Sequence, residues 1–268
     1  MMSIDWIIHE PAEDYHEQSR QGNYMSSHML ADFRKSPALY RKKVLGQIAE
    51  SGSASFHFGT LAHKLILEGN DAFFAEYIVS DGPINPTTGK PYDVKTKAYA
   101  AWAATQVGSV VDTATWGEIL NLATSVRSHA EVIPLLANGC AEGVVRAEYC
   151  GVPCQIRMDW FNPELGLVDL KTCAEINFFE HDFRRWGYVF QLAFYRAVIR
   201  QVTGVNVPVK VIAVEKSEPI ATGVWAVSSD WLDYAEKVNE AALAKYKQCC
   251  ETGIWPTGYE QLRVIDMN

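Results

Sequence analysis

No run of the 268 residues reaches the roughly 18 apolar positions that a bilayer-crossing helix needs. The start, MMSIDWIIHEPAEDYHE, also lacks the basic residues of a signal peptide and carries acids in their place. A soluble, cytoplasmic protein with no membrane partner is expected. Basic charge is scarce as well: 24 Lys and Arg against 32 Asp and Glu leave a formal net charge of -8. That balance argues against coating nucleic acid by bulk charge, though locally grouped basic residues can still serve a nucleic-acid substrate. The six cysteines (140, 150, 154, 173, 249, 250) include no C-x-x-C pair and have no histidine-rich companions, so reduced thiols are expected rather than a zinc site or a disulfide framework. There is no G-x-x-x-x-G-K-[ST] run, no internal repeat and no low-complexity stretch.

What is there centres on Cys154 to Thr172, CQIRMDWFNPELGLVDLKT. Read with period 2, Cys154, Ile156, Met158 and Trp160 share one face, leaving Gln155, Arg157 and Asp159 on the other. Asn162-Pro163-Glu164-Leu165-Gly166 is rich in turn residues. The chain then returns as Leu167-Val168-Asp169-Leu170-Lys171, and the hairpin can bring Asp159, Asp169 and Lys171 together. Two neighbouring carboxylates repel each other and are costly to bury alone, so such a pair commonly holds a cation. Oxygen ligands favour Mg²⁺, with Mn²⁺ able to substitute. A lysine beside the ion can orient a water or stabilise charge on a phosphodiester. A surface hairpin with one salt bridge is the alternative, and the rest of the chain has to decide between them.

Helices are expected after Ser26-Ser27, from Pro37 to Lys43, from Phe56 to Leu67 after a Ser51-Gly52-Ser53 break, from Thr96 to Trp102, and over a long stretch bearing Ile119, Leu122, Val126, Ile133 and Leu136. Residues 80–97 hold three prolines and three lysines and read as a surface loop. Strands begin near Glu142; Glu148, on the strand before the hairpin, is either a third metal carboxylate or an exposed strand residue. A helix from Phe183 to Val202, opened by Asp182 and ended by Gly204, puts Tyr188, Gln191 and Tyr195 on one face. Arg184 and Arg185 sit at its start in the most compact basic neighbourhood of the chain, suited to DNA phosphates. Two strands, 207–215 and 220–227, and a helix capped by Ser229 complete a mixed α/β order around one sheet.

Gly59-Thr60-Leu61-Ala62-His63, Asp159, Asp169-Leu170-Lys171 and Gln191-Leu192-Ala193-Phe194-Tyr195 stand in the order G-x-x-x-H, D, D-x-K, Q-x-x-x-Y. With Ser36-Pro37-Ala38-Leu39-Tyr40, Val214-Glu215-Lys216 and Trp255-Pro256 they span residues 26 to 259. This set resembles the RecB-like branch of the PD-(D/E)xK nucleases, and within it the RecE type, the exonuclease VIII-like exodeoxyribonucleases of phages and prophages. The resemblance implies a restriction-endonuclease-like core, a mixed central sheet flanked by helices, in one nuclease domain over 1–268: mainly helical from 26 to 140, catalytic from 142 to 259. It further implies that Asp159, Asp169 and the Leu170 carbonyl hold a divalent metal, that His63 or Glu148 completes the set, and that Lys171 positions the attacking water. Gln191 and Tyr195 would orient the DNA end. Iron–sulfur members of the branch use one cysteine upstream of the core and three after it; here none precedes Cys140 and only Cys249 and Cys250 follow, so no iron–sulfur cluster is expected. The implied activity is 5′→3′ degradation of linear double-stranded DNA, leaving 3′ tails for a single-strand annealing partner in recombination. A homo-oligomer, with a tetramer ring as the candidate, goes with it. A non-catalytic DNA-binding module and an endonuclease of the same superfamily are the competing readings.

Overall fold

A computed structural model of the chain describes residues 2–48 and 54–265; the Ser51-Gly52-Ser53 break lies outside them. Three helices come first: α1 (Ala12–Arg20), α2 (Ser27–Lys35) and α3 (Pro37–Val44). The hydroxyls of Ser26 and Ser36 accept from the amides of Met29 and Leu39, and Pro37 takes the first helical position, where its missing N–H costs nothing. Helix α4 (Ala54–His63) runs on into a π-helical turn, Lys64–Glu68, before α5 (Gly69–Glu76). The wider turn buries three consecutive residues, Leu65, Ile66 and Leu67, and its Leu65 and Ile66 carbonyls accept from the Arg127 guanidinium at 2.8 and 2.9 Å.

Strand β1 (Tyr77–Val79) pairs in parallel with β2 (Ser109–Val111) across the connection that carries α6 (Lys97–Ala103). The expected long helix is in fact two, α7 (Thr113–Ser128) and α8 (Val132–Ala137). The turn at 129–131 resets the phase, so Val132 and Leu135 are buried while Ile133 is 55% exposed. Pro134 sits in the first turn of α8, where it can be tolerated.

The main sheet has the order β3-β4-β5-β6-β7, formed by β3 (Cys140–Tyr149), β4 (Val152–Asn162), β5 (Gly166–Cys173), β6 (Val209–Glu215) and β7 (Thr222–Ala226). All neighbours are antiparallel except β5 and β6, whose parallel pairing requires a crossover. That crossover is α9 (Phe179–Arg185) and α10 (Tyr188–Thr203), and α11 (Ser229–Thr252) closes the order. Ser228, not Ser229, is the residue preceding α11. Gly204 and Gly253 end α10 and α11 in the left-handed region, as their positions suggest.

Helices cover both faces. On one, Leu30 and Phe33 of α2, Leu192 and Ala193 of α10 and Leu243 of α11 pack on Ile156, Met158 and Phe161. On the other, Leu61, Ile119, Leu122 and Val126 pack on Val168, Leu170, Ile212 and Val214. The C-terminal Trp255 stacks on Tyr40 at 5.8 Å, which gives Ser36–Tyr40 and Trp255-Pro256 a packing role.

Strand alternation breaks at one level of the sheet. Glu142 has φ 56, and Glu142 and Asp159 are the one opposed pair missing from the β3–β4 ladder between Cys140 and Tyr149. Beyond it the phase shifts: Met158 packs on the α10 side but Trp160 on the α7 side, contrary to the even alternation expected from Cys154 to Trp160. Strands β4 and β5 stay paired only from Trp160 to Asn162, opposite Gly166 to Val168, and then part.

The expected helix from Phe183 to Val202 is interrupted at Gly187, which takes φ 68 between α9 and α10. Past the break, Tyr188 in the first turn of α10 lies beside Lys171 of β5, its ring centroid 5.0 Å from Nζ. A β-carbon at Gly187 would meet the Phe190 ring at 3.2 Å in a backbone conformation that L-residues avoid. Gly187→Ala is therefore expected to cost about 1–2 kcal/mol, read by urea denaturation, with the fold retained.

Candidate metal and phosphodiester site

Leu170 lies where β4 and β5 part. Its neighbours Asp169 and Lys171 bond along β6, so its own N–H and C=O point toward the gap that β4 has left. The N–H donates to Asp159 Oδ2 at 2.7 Å, and the carbonyl accepts from the His63 ring. A carboxylate and an imidazole thus stand in for the missing strand partner and are fixed by it. His63 arrives as the last residue of α4, directly before the π turn, with Nδ1 at 3.7 Å from Asp159 Oδ2.

Glu142 reaches the same gap from β3, and one ligand atom each from His63, Glu142 and Asp159 lies within 4.8 Å of the others. Asp169 is outside that cluster and 1% exposed, and its Oδ1 has no hydrogen-bond donor among the described residues. Lys171 Nζ stands 2.7 Å from Asp169 Oδ2 and 5.0 Å from the centroid of the Tyr188 ring. On the same helix Gln191 Nε2 donates to the Tyr195 hydroxyl at 3.2 Å. Tyr195 is buried, and burial with the nearby Asp159 charge raises its pKa, so it serves as a neutral phenol.

Electrostatics match an anionic site awaiting positive charge. Burial, reinforced by Asp159, pushes Glu142 up to about 8 against the opposing pull of Arg157. Burial raises Asp169 too, despite Lys171. Lys171 loses charge stability to burial, but Asp169 and Asp159 outweigh it and its pKa rises. Burial lowers the His63 pKa, Asp159 opposing, which favours the neutral imidazole a metal needs. Carboxylates crowded together out of bulk water, beside a neutral histidine, are a donor set that a hard divalent cation would satisfy.

Of the residues expected at the site, His63, Asp159, Asp169, Leu170 and Lys171 converge around this gap, and Gln191 and Tyr195 lie above it on α10. The structure does not bring Glu148 there. It is exposed and pairs with Pro153, six residues along β4 from Asp159, or about 20 Å away. Glu142 takes that place. The Cys150-Gly151 turn pairs Tyr149 with Val152, and stepping back equally along both strands sets Glu142 opposite Asp159. Arg184 and Arg185 are exposed at the end of α9, over the rings of Trp231 and Trp186 respectively, and the structure does not bring them into the cluster. Sequence reading also missed Tyr188 as the neighbour of Lys171 and Arg157, whose Nη1 is 3.0 Å from Glu142 Oε2.

Residues 26–268 match the PDDEXK-like domain of unknown function (DUF3799). The chain belongs to this family. A crystal structure from Eubacterium rectale, described as a "Putative exonuclease", superposes on it with a TM-score of 0.68 at 18% identity, over 97% of both chains. No curated protein matches the chain. The mixed sheet flanked by helices is the PDDEXK-like core, and the family and fold support a nuclease of the PD-(D/E)xK superfamily. PD-(D/E)xK nucleases use divalent metals, and in this PDDEXK-like domain His63, Glu142 and Asp159 stand close enough together to hold one. Among the described residues no helix is long and apolar enough to cross a membrane.

A carboxyl whose pKa is raised by folding favours the protonated protein, so its stability contribution is lost as pH rises from the unfolded value toward the folded one. For Glu142 that window runs from 4.5 to about 8, and Asp169 acts in the same direction. The metal-free protein should lose thermal stability across this range. Mg²⁺ or Mn²⁺ should raise Tm more at pH 8 than at pH 6, read by calorimetry; equal gains would count against these carboxylates as the ligands.

Proposed function

We propose that the protein is a Mg²⁺-dependent exodeoxyribonuclease that degrades linear double-stranded DNA, 5′→3′, leaving 3′ single-stranded tails for an annealing partner. One observation carries the nuclease reading: the D…D-x-K set is whole and converges with His63 and Glu142 on a gap that gathers three carboxylates out of bulk water, Asp169 almost completely. A module that had kept the fold for binding alone would have no reason to retain that set or its unfavourable burial. The RecE-type motif order supports the exonuclease reading, its polarity, a homo-oligomer such as a tetramer ring, and a role in recombination.

In this reading Asp159, Glu142 and His63 hold the ion, with Asp169 and the Leu170 carbonyl completing its surroundings. When bound, the ion supplies Lewis-acid stabilisation of the phosphodiester and lowers the pKa of water. Lys171, kept charged by Asp169, donates to the attacking water or a non-bridging phosphate oxygen. Tyr188 restrains the ammonium from its open side. Gln191 and Tyr195 orient the strand above the gap, their mutual hydrogen bond fixing the amide of the former. Arg184 and Arg185 meet phosphates outside the cluster.

The test compares 5′-labelled and 3′-labelled linear duplexes with a covalently closed circle in Mg²⁺. Release of the 5′ label first, with the circle intact, is expected. Cutting of the circle would make the protein an endonuclease, and no release at all would make it a binding module. Lys171→Ala and Asp169→Asn should each lower the rate by at least about 10²–10³-fold with the fold unchanged by circular dichroism. Wild-type rates for Lys171→Ala would remove Lys171 from the chemistry.

A further inference from the structure

Arg157 projects from β4 two residues before Asp159 and ends beside Glu142, Nη1 to Oε2 at 3.0 Å, with its side chain 24% exposed. Its Nε is buried and has no hydrogen-bond acceptor among the described residues. A guanidinium carries five donors in a fork that fits a carboxylate or a phosphate two bonds at a time. Here Nη1 is engaged in the ion pair while Nε is left without an acceptor, so the fork is incompletely used. Leaving a buried donor unpaired is unfavourable, so this arrangement is under-satisfied in a way that a second acceptor would relieve.

The carboxylate it leans on has a competing use. Glu142 is one of the three side chains whose ligand atoms lie within 4.8 Å of each other. A cation in that cluster and the Arg157 guanidinium both draw on the Glu142 charge, and they repel one another across it. Drawing Glu142 toward a metal weakens the hold on Arg157, and the freed fork stands next to the gap where a phosphodiester would lie.

We propose that Arg157 is a phosphate-contacting residue held in reserve by Glu142, so that filling of the metal cluster releases it to the DNA backbone and couples metal binding to DNA binding. The inference rests on the nuclease reading above and specifies how its site is regulated. It makes the protein bind DNA weakly until the metal is present, and by reciprocity makes DNA tighten the metal. Arg157 acts on the substrate phosphate, whereas the remaining residues of the cluster act through the ion.

The experiment is fluorescence anisotropy of a labelled blunt duplex, in EDTA and in Ca²⁺, with full-length protein and no turnover required. Wild type should bind about tenfold more tightly in Ca²⁺, the size of one charge-assisted contact. Glu142→Gln should bind in EDTA about tenfold better than wild type, because a neutral amide releases the guanidinium without metal. Removing a negative charge near DNA could give part of that gain by itself, so the decisive arm is Glu142→Gln combined with Arg157→Gln. In that background the gain should vanish, and the dependence of log affinity on log salt should lose about one unit of slope. Arg157→Lys, which keeps the charge without the fork, should restore part of the affinity and guards against a folding defect. A gain from Glu142→Gln that survives in the Arg157→Gln background overturns the inference, as does wild-type EDTA affinity in Glu142→Gln. If wild type cleaves linear DNA in Mg²⁺ and either result is seen, only this inference falls. If wild type neither cleaves nor binds linear DNA, the nuclease reading falls with it.

Discussion

The hydrogen bond from the Leu170 amide to the Asp159 carboxylate organises everything around it. A strand that loses its neighbour must satisfy its backbone groups some other way, and inside a protein it cannot use bulk water. Because β5 loses β4 as a partner after Val168, it is forced to recruit side chains, and the ones it recruits are an acid and an imidazole. The same parting opens a gap that, in the proposed nuclease reading, takes the phosphate. In that reading ligand placement and substrate access share one cause, the early end of a three-residue antiparallel ladder.

Around that opening the two helical layers take different duties. The α4 side contributes His63, held through the π turn and the Arg127 contact to its carbonyls. The α10 side contributes Tyr188, Gln191 and Tyr195, placed by the Gly187 break. Strand β5, buried on both faces, carries Asp169 and Lys171 between them, and burying these charges is tolerable because each answers the other at 2.7 Å.

Much of this was legible in the sequence. The turn chemistry at 162–166, the period-2 pattern and the capping serines located the hairpin and the helices, and four ordered motifs identified the PD-(D/E)xK core. What stayed hidden depends on geometry that composition does not encode. Glu148 and Glu142 are chemically equivalent glutamates on one strand, and only the register of the Cys150-Gly151 turn separates them. The phase shift at Glu142 and Asp159 comes from a positive φ at a glutamate, which no local residue preference announces. Gly187 is one glycine in an otherwise good helical pattern, and its left-handed conformation is a tertiary demand. Arg157 looked like an outward strand residue until Glu142 was found beside it.

The π turn after His63 has a consequence for how this chain can vary. A π turn is an α-helix with one residue too many, so removing a single residue between 64 and 68 would relax the backbone into ordinary α geometry. The helix would then be locally better made, yet everything before the deletion would rotate by about 100° relative to everything after it. Either Leu61 and Ala62 keep their burial and the Leu65–Leu67 ridge turns away, or the ridge stays and His63 leaves Asp159. The extra residue is a phase adjuster that lets one helix serve a hydrophobic layer and a polar gap at once, and the segment's length is constrained more tightly than its composition.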